Sequence, residues 1–143
     1  MGLALAAHAE VAAVLDRCAA VLDPRLGRPL REVLADGEAL QHTANAQPAL
    51  LAVELAVASW LRALGVAPVA VAGHSLGEIA AAAHAGVWSV EDAAVLAFER
   101  GRLMEAHGRA GTMAAVAADA DVVPGRRWWT APRSPPSTQR TRP

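Results

Sequence analysis

Five residues, Gly73-His74-Ser75-Leu76-Gly77, carry the clearest chemistry in this sequence. A serine hydroxyl is a weak nucleophile until its backbone lifts it clear of its neighbours and a base takes its proton. The G-x-S-x-G spacing answers the first need. The apolar run Val69-Ala70-Val71-Ala72 precedes it, and the helix-like Ile79-Ala80-Ala81-Ala82-Ala83 follows. A strand that turns sharply into a helix at such a motif is a nucleophile elbow. The turn strains the serine backbone, and Gly73 and Gly77 are expected to leave it room. The Leu76 N–H, in the first turn of the helix, is placed to stabilise an oxyanion. Covalent acyl chemistry on Ser75 is the expectation. His74 is adjacent in sequence, but neighbouring side chains at such a turn face apart.

The proton acceptor is harder to find. Downstream of Ser75 the histidines are His84 and His107. His84 falls on the elbow helix and His107 at the end of the next one, so neither is expected to reach the serine. His8 and His42 read as surface residues. A serine hydrolase of G-x-S-x-G type is one reading, but it needs a histidine base that these positions do not offer. Cys18, the single cysteine, reads as a small core residue and excludes an intrachain disulfide.

Arg100 is the second residue of chemical interest. On a helical wheel for residues 90–107, Glu91, Asp92, Glu99, Arg102 and Glu105 share one side. Arg100 falls on the other, among Ala93, Leu96, Ala97 and Met104. A guanidinium on an apolar face is costly unless it meets an anion. That anion is either an internal carboxylate such as Glu78 or the carboxylate of a substrate, which arginine grips in a planar, bidentate way. The wheel leaves the two open.

The elements that must position these residues are mostly helices. An amphipathic helix is predicted over 3–22, stopped by Asp23-Pro24, and a shorter one from Pro29 to just before Gly37. A loop from Thr43 to Gln47 is predicted to lead into a helix from Pro48 to Leu64, closed by Gly65. Val69 to Ala72 reads as a buried strand. The elbow helix runs to Ala85 and stops at Gly86. Ser89 to Asp92 resembles a capping box for a helix ending at His107 and Gly108. Thr112 to Ala117 is a candidate second strand. Helices alternating with apolar strands point to an α/β fold.

Length and composition set bounds. A chain of 143 residues suggests one domain at most. The net charge of −1 gives no global pull towards nucleic acid or an acidic membrane. No secretory signal and no transmembrane helix are expected, and a cytoplasmic location fits. All 13 basic residues are arginine, which suggests a GC-rich coding sequence. Residues 1–123 carry a net charge of −6, whereas the tail from Pro124 to Pro143 carries five Arg, five Pro and no acid. Disorder is one reading of that tail and a nucleic-acid arm another. Its abrupt onset favours a third, a frameshifted read-out over 123–143, testable by translating the DNA in the other frames.

Several segments in register resemble a known family. They are Gln47-Pro48-Ala49-Leu50-Leu51, Gly73 through Ala81, Ala85-Gly86-Val87, Arg100 through Met104 and Gly111 through Val116. Over about residues 1–122 the chain resembles the acyltransferase domain of modular polyketide synthases, related to malonyl-CoA:acyl-carrier-protein transacylases. The resemblance implies part of a hydrolase-like α/β large subdomain, lacking its first strand and C-terminal part. It implies that Ser75 takes an acyl group from coenzyme A and passes it to the phosphopantetheine thiol of an acyl carrier protein. Arg100 would hold the carboxylate of a malonyl or methylmalonyl unit, with Gln47 also in the substrate site. Leu76, an aliphatic residue after the serine, leans towards malonyl. No bound cofactor, nucleic acid or membrane is implied; other polyketide synthase domains are the implied partners.

Two of the family's parts have no counterpart here. One is a Gly-Gln-Gly loop that completes the oxyanion hole, and the other is a base histidine in a Ser-His motif. Little turnover and exposed apolar faces with poor solubility are therefore expected of this chain alone. A non-catalytic piece completed by another chain is the further alternative.

Overall fold

The structure is a computed structural model that describes residues 2–108 and Ala117. A 3-10 turn, Leu3–Ala7, leads into α1 (Ala9–Leu26). The short α2 (Leu30–Ala35) follows, and then α3 (Thr43–Ala63), α4 (Leu76–His84) and α5 (Val90–His107). The core lies where α1, α3 and α5 pack on one another. Helix α1 contributes Val11, Val14, Leu15, Cys18 and Leu22, an i, i+3, i+4, i+7 stripe that reads as one face. Helix α3 answers with Leu51, Ala52, Leu55 and Ala56. Helix α5 presents Ala93, Ala94, Ala97 and Gly101, small residues that let the α3 and α5 backbones come close.

Helix boundaries differ from the sequence expectation in two places. The first helix was expected over 3–22. Instead the chain breaks at His8, which is extended, and α1 then runs through Pro24 to Leu26. Proline near the end of a helix forfeits one bond and spares the rest. The stop comes at Gly27, left-handed at φ 69, whose N–H donates to the Asp23 carbonyl at 3.0 Å. Asp23 also opens α2, its Oδ1 accepting the Leu30 N–H at 2.7 Å. The second difference is the start of α3, five residues before Pro48, in a stretch expected to be loop. The elbow helix, its stop at Gly86 (φ 82) and the span of α5 are as expected. Ser89 caps α5, accepting the Asp92 N–H at 3.0 Å and donating its hydroxyl to Asp92 Oδ2 at 2.7 Å.

The strand expected at Val69–Ala72 is absent, and the described residues are helical with no strand among them. A strand exists only through a ladder with a neighbour. Residues 67–73 have no backbone hydrogen bonds to other described residues, and Val69 is fully exposed rather than buried. The α/β expectation is therefore not realised within residues 2–108. Of the second expected strand, 112–117, only Ala117 is described, and the tail 123–143 lies outside the described residues. No helix among the described residues is long and apolar enough to cross a membrane.

Candidate active site

The elbow is where α4 begins. Ser75 is its N-cap, with φ 56 and ψ −114, and it is the one non-glycine residue of positive φ among the described residues. Such a backbone costs on the order of 1–3 kcal/mol and persists only where its surroundings enforce it. Two bonds close the turn behind it. The Gly77 N–H donates to the His74 carbonyl at 3.0 Å, and the Glu78 N–H to the Ser75 carbonyl at 3.2 Å. A side chain on Gly73 would overlap the Gly77 carbonyl and the Glu78 nitrogen, so glycine is required there. A side chain on Gly77 would meet nothing. Of the two glycines expected to leave the turn room, Gly73 therefore does so, whereas the space around Gly77 does not require it to lack a side chain.

The turn leaves Ser75 exposed. The Leu76 N–H makes no hydrogen bond with another described residue, as an N-terminal donor of α4 can be expected to do. The Leu76 side chain is buried in the core. His74 is exposed, and no described residue bonds its ring.

Across from the elbow stands Arg100 on α5. Its Nη2 donates to Ser75 Oγ at 2.8 Å. Its Nη1 donates to Oε1 of Gln47, a short hydrogen bond. Gln47 is buried on α3, and its Nε2 turns to Met104 Sδ at 3.1 Å. Three elements thereby converge on one point, α3 through Gln47, α4 through Ser75 and α5 through Arg100. Arg100 pairs with no carboxylate among the described residues, and Glu78 is exposed and apart from it. Of the two anions that the wheel left open, the internal one is missing. The cation faces two neutral oxygens, one of them the hydroxyl at the elbow.

None of the histidines hydrogen-bonds Ser75. His8 stacks on Trp60 with ring centroids 4.5 Å apart, and His42 pairs with Glu105 at 3.2 Å. His84 ends α4, its carbonyl accepting from Arg62, and His107 ends α5. Among the described residues no group of three or more His, Cys, Asp or Glu could hold a metal ion.

A strained serine at a helix start thus faces an arginine that a buried glutamine holds from behind. Comparison with known proteins gives the family. The acyl transferase domain family matches residues 1–132, and the chain belongs to that family. It is 52% identical over 120 residues to polyketide synthase GfsB of Streptomyces halstedii, across 82% of this chain and 2% of that protein. It is 48% identical over 128 residues to mycoketide-CoA synthase of Mycobacterium tuberculosis, across 87% of this chain and 3% of that protein. Among solved structures it resembles the acyl transferase domain of ZmaA with a TM-score of 0.69 at 36% identity, across 74% of this chain and 26% of that one. The chain therefore spans a small part of the polyketide synthases that it matches.

Proposed function

We propose that this chain carries the acyl-loading centre of a polyketide synthase acyl transferase, with Ser75 as nucleophile and Arg100 as anchor for a carboxylated acyl unit, malonyl or methylmalonyl. The observation that carries this is the Arg100 guanidinium, bonded to Ser75 Oγ and to buried Gln47 with no carboxylate partner among the described residues. A substrate carboxylate would displace the serine contact and take its place on the guanidinium. That leaves the acyl carbonyl beside Oγ. In the first half-reaction the Oγ–C bond forms, the C–S bond of the thioester breaks, and coenzyme A leaves as the thiol. The Leu76 N–H donates to the oxygen that gains charge. In the second half, the phosphopantetheine thiol of an acyl carrier protein attacks the ester and restores the serine.

The serine proton needs an acceptor, and arginine is not one. General-base help is worth roughly 10²–10⁴-fold in rate. With no histidine or carboxylate among the described residues bonded to Ser75, the 143-residue chain alone is expected to acylate slowly. The test is incubation with malonyl-CoA and intact-mass detection of the adduct. A slow adduct mapped to Ser75 and lost in Ser75→Ala supports the reading. An adduct that persists in Ser75→Ala, or none after prolonged incubation, refutes it.

A further inference from the structure

The start of α3 is held by α5, and the residues that hold it surround Arg100. The Ala44 N–H, in the first turn of α3, donates to Glu105 Oε2 at 2.7 Å. The residue before the helix, His42, provides no side-chain cap and instead meets Glu105 Oε1 through Nδ1 at 3.2 Å. One carboxylate of α5 therefore serves as the external cap of α3, with the charge sign that a helix N-terminus favours. One turn back along α5 from Glu105 is Gly101. A side chain on it would lie 2.7 Å from the Thr43 carbonyl oxygen, 3.2 Å from Ala44 Cα and 3.4 Å from Gln47 Cβ. A glycine in the interior of a helix is destabilising against alanine. Here it lets α3 come within backbone contact.

Gly101 and Glu105 form one i, i+4 row of α5, and Arg100 and Met104 form the next. The first row grips the start of α3. The second meets Gln47, which is three residues after Ala44 on α3 and so faces the same neighbour. Arg100 is thereby bonded to a side chain whose own helix is fixed by the residues just beyond Arg100.

We propose that Gln47, Gly101 and Glu105 form a clasp between α3 and α5 that sets the direction of the Arg100 guanidinium, and through it the preference of Ser75 for carboxylated over neutral acyl groups. The second half of this rests on the anchor role of Arg100 proposed above. Gly101 and Glu105 are positioning residues, since they act through Gln47 and Arg100 and touch no reacting atom.

Two measurements on the full chain separate the halves. The first is the rate at which phenylglyoxal modifies Arg100, followed by peptide mass spectrometry with the exposed Arg102 as internal standard. In the wild type Arg100 is expected to react more slowly than Arg102. Gly101→Ala and Glu105→Ala are expected to speed its modification roughly fivefold, as loss of a helix cap does to an equilibrium. Glu105→Gln keeps an acceptor for the Ala44 N–H and should restore slow modification. Equal rates for Arg100 and Arg102 in the wild type, or unchanged rates in both variants, overturn the clasp. Circular dichroism identifies a variant that has unfolded. If Gly101→Ala is one, Glu105→Ala and its Gln rescue decide.

The second measurement is the ratio of malonyl-CoA to acetyl-CoA affinity in a Ser75→Ala background. The Glu105→Ala change should lower that ratio by the same factor, with acetyl-CoA binding unmoved. A ratio near one in the parent, with Arg100 still shielded, refutes the anchor role and leaves the clasp standing. A parent ratio well above one that Glu105→Ala does not change refutes the clasp as the source of selectivity.

Discussion

Ser75 and Arg100 make opposite demands on the chain. Ser75 needs a backbone that few residues adopt, whereas Arg100, as the proposed anchor, needs neighbours that leave its charge unpaired. The strain at Ser75 (φ 56) rests on Gly73, whose missing side chain lets the turn close on Gly77 and Glu78. Gly73→Ala should therefore cost on the order of 1–3 kcal/mol, the usual range for forcing extra volume into a closed space. A urea denaturation midpoint close to that of the wild type would show that the elbow is looser than its geometry implies. Arg100→Ala tests the other demand. A hydrogen bond to a charged group is worth about 1.5–3 kcal/mol, so malonyl-CoA affinity should fall roughly 10- to 100-fold. Acetyl-CoA, with no carboxylate, should be little affected. Equal losses for the two thioesters would show that Arg100 serves the fold rather than the substrate. Both residues were legible in the sequence, Ser75 from its glycines and Arg100 from its place on the wheel. The contact between them was not, because 25 residues separate them and nothing local encodes their approach. Gly101 was the overlooked signal, a glycine inside an otherwise well-formed helix.

At the scale of elements, α3 shows how a helix can start where local sequence predicts a loop. Thr43 to Gln47 lack a local cap, and Pro48 reads as a first-turn proline. The missing cap is Glu105, 61 residues away, bonded to Ala44. No window along the chain contains that information. The elbow helix α4 and helix α5 were readable because their stops, Gly86 and Gly108, and the Ser89 cap are local. The strand read at Val69–Ala72 is absent for a related reason, since an apolar run is local whereas a ladder needs a neighbour, and no described residue forms one with it. The Glu105 cap also predicts an acid response. The Ala44 N–H, helped by His42 and opposed by slight desolvation, holds the Glu105 carboxyl below its ordinary value of 4.5. The unfolded chain then binds this proton more readily than the folded one. Its stabilising contribution is complete above about 4.5 and is lost as pH falls below that through the folded value. Asp36 and Glu91 are lowered too, so a difference measurement is needed. The gap in urea midpoint between the wild type and Glu105→Gln should narrow as pH drops from 6 towards 3. A gap independent of pH would show that charge on Glu105 contributes nothing to the cap.

For the molecule as a whole, two regions behave differently. Val66, Val69 and Val71, beside the elbow, are exposed along a segment with no ladder. Unpaired backbone with apolar side chains is a template for association. Val69→Thr with Val71→Thr should therefore reduce concentration-dependent self-association in sedimentation, and an unchanged profile would place the sticky surface elsewhere. The α1–α3–α5 core is the closed region, and Cys18 reports on it. The Cys18 side chain is fully buried between Leu15 and Leu22 on the inner stripe of α1. Burial, with a smaller push from Glu91 and a partial offset from Arg17, raises its thiol to about 12. A thiol so shifted forms almost no thiolate at neutral pH, and only the thiolate reacts with iodoacetamide. Alkylation must then wait for the core to open. Its rate should follow the population of unfolded chain, rising with urea in parallel with the loss of helical circular dichroism. Leu15→Ala, which removes a neighbouring core side chain at a typical cost of about 2–5 kcal/mol, should speed alkylation and lower the midpoint together. If Cys18 reacts in the absence of urea at the rate of a free thiol, α1 opens by itself. The three helices then do not act as one cooperative core, and Arg17 to Glu91, bonded at 2.6 and 2.8 Å across α1 and α5, fails to hold them together.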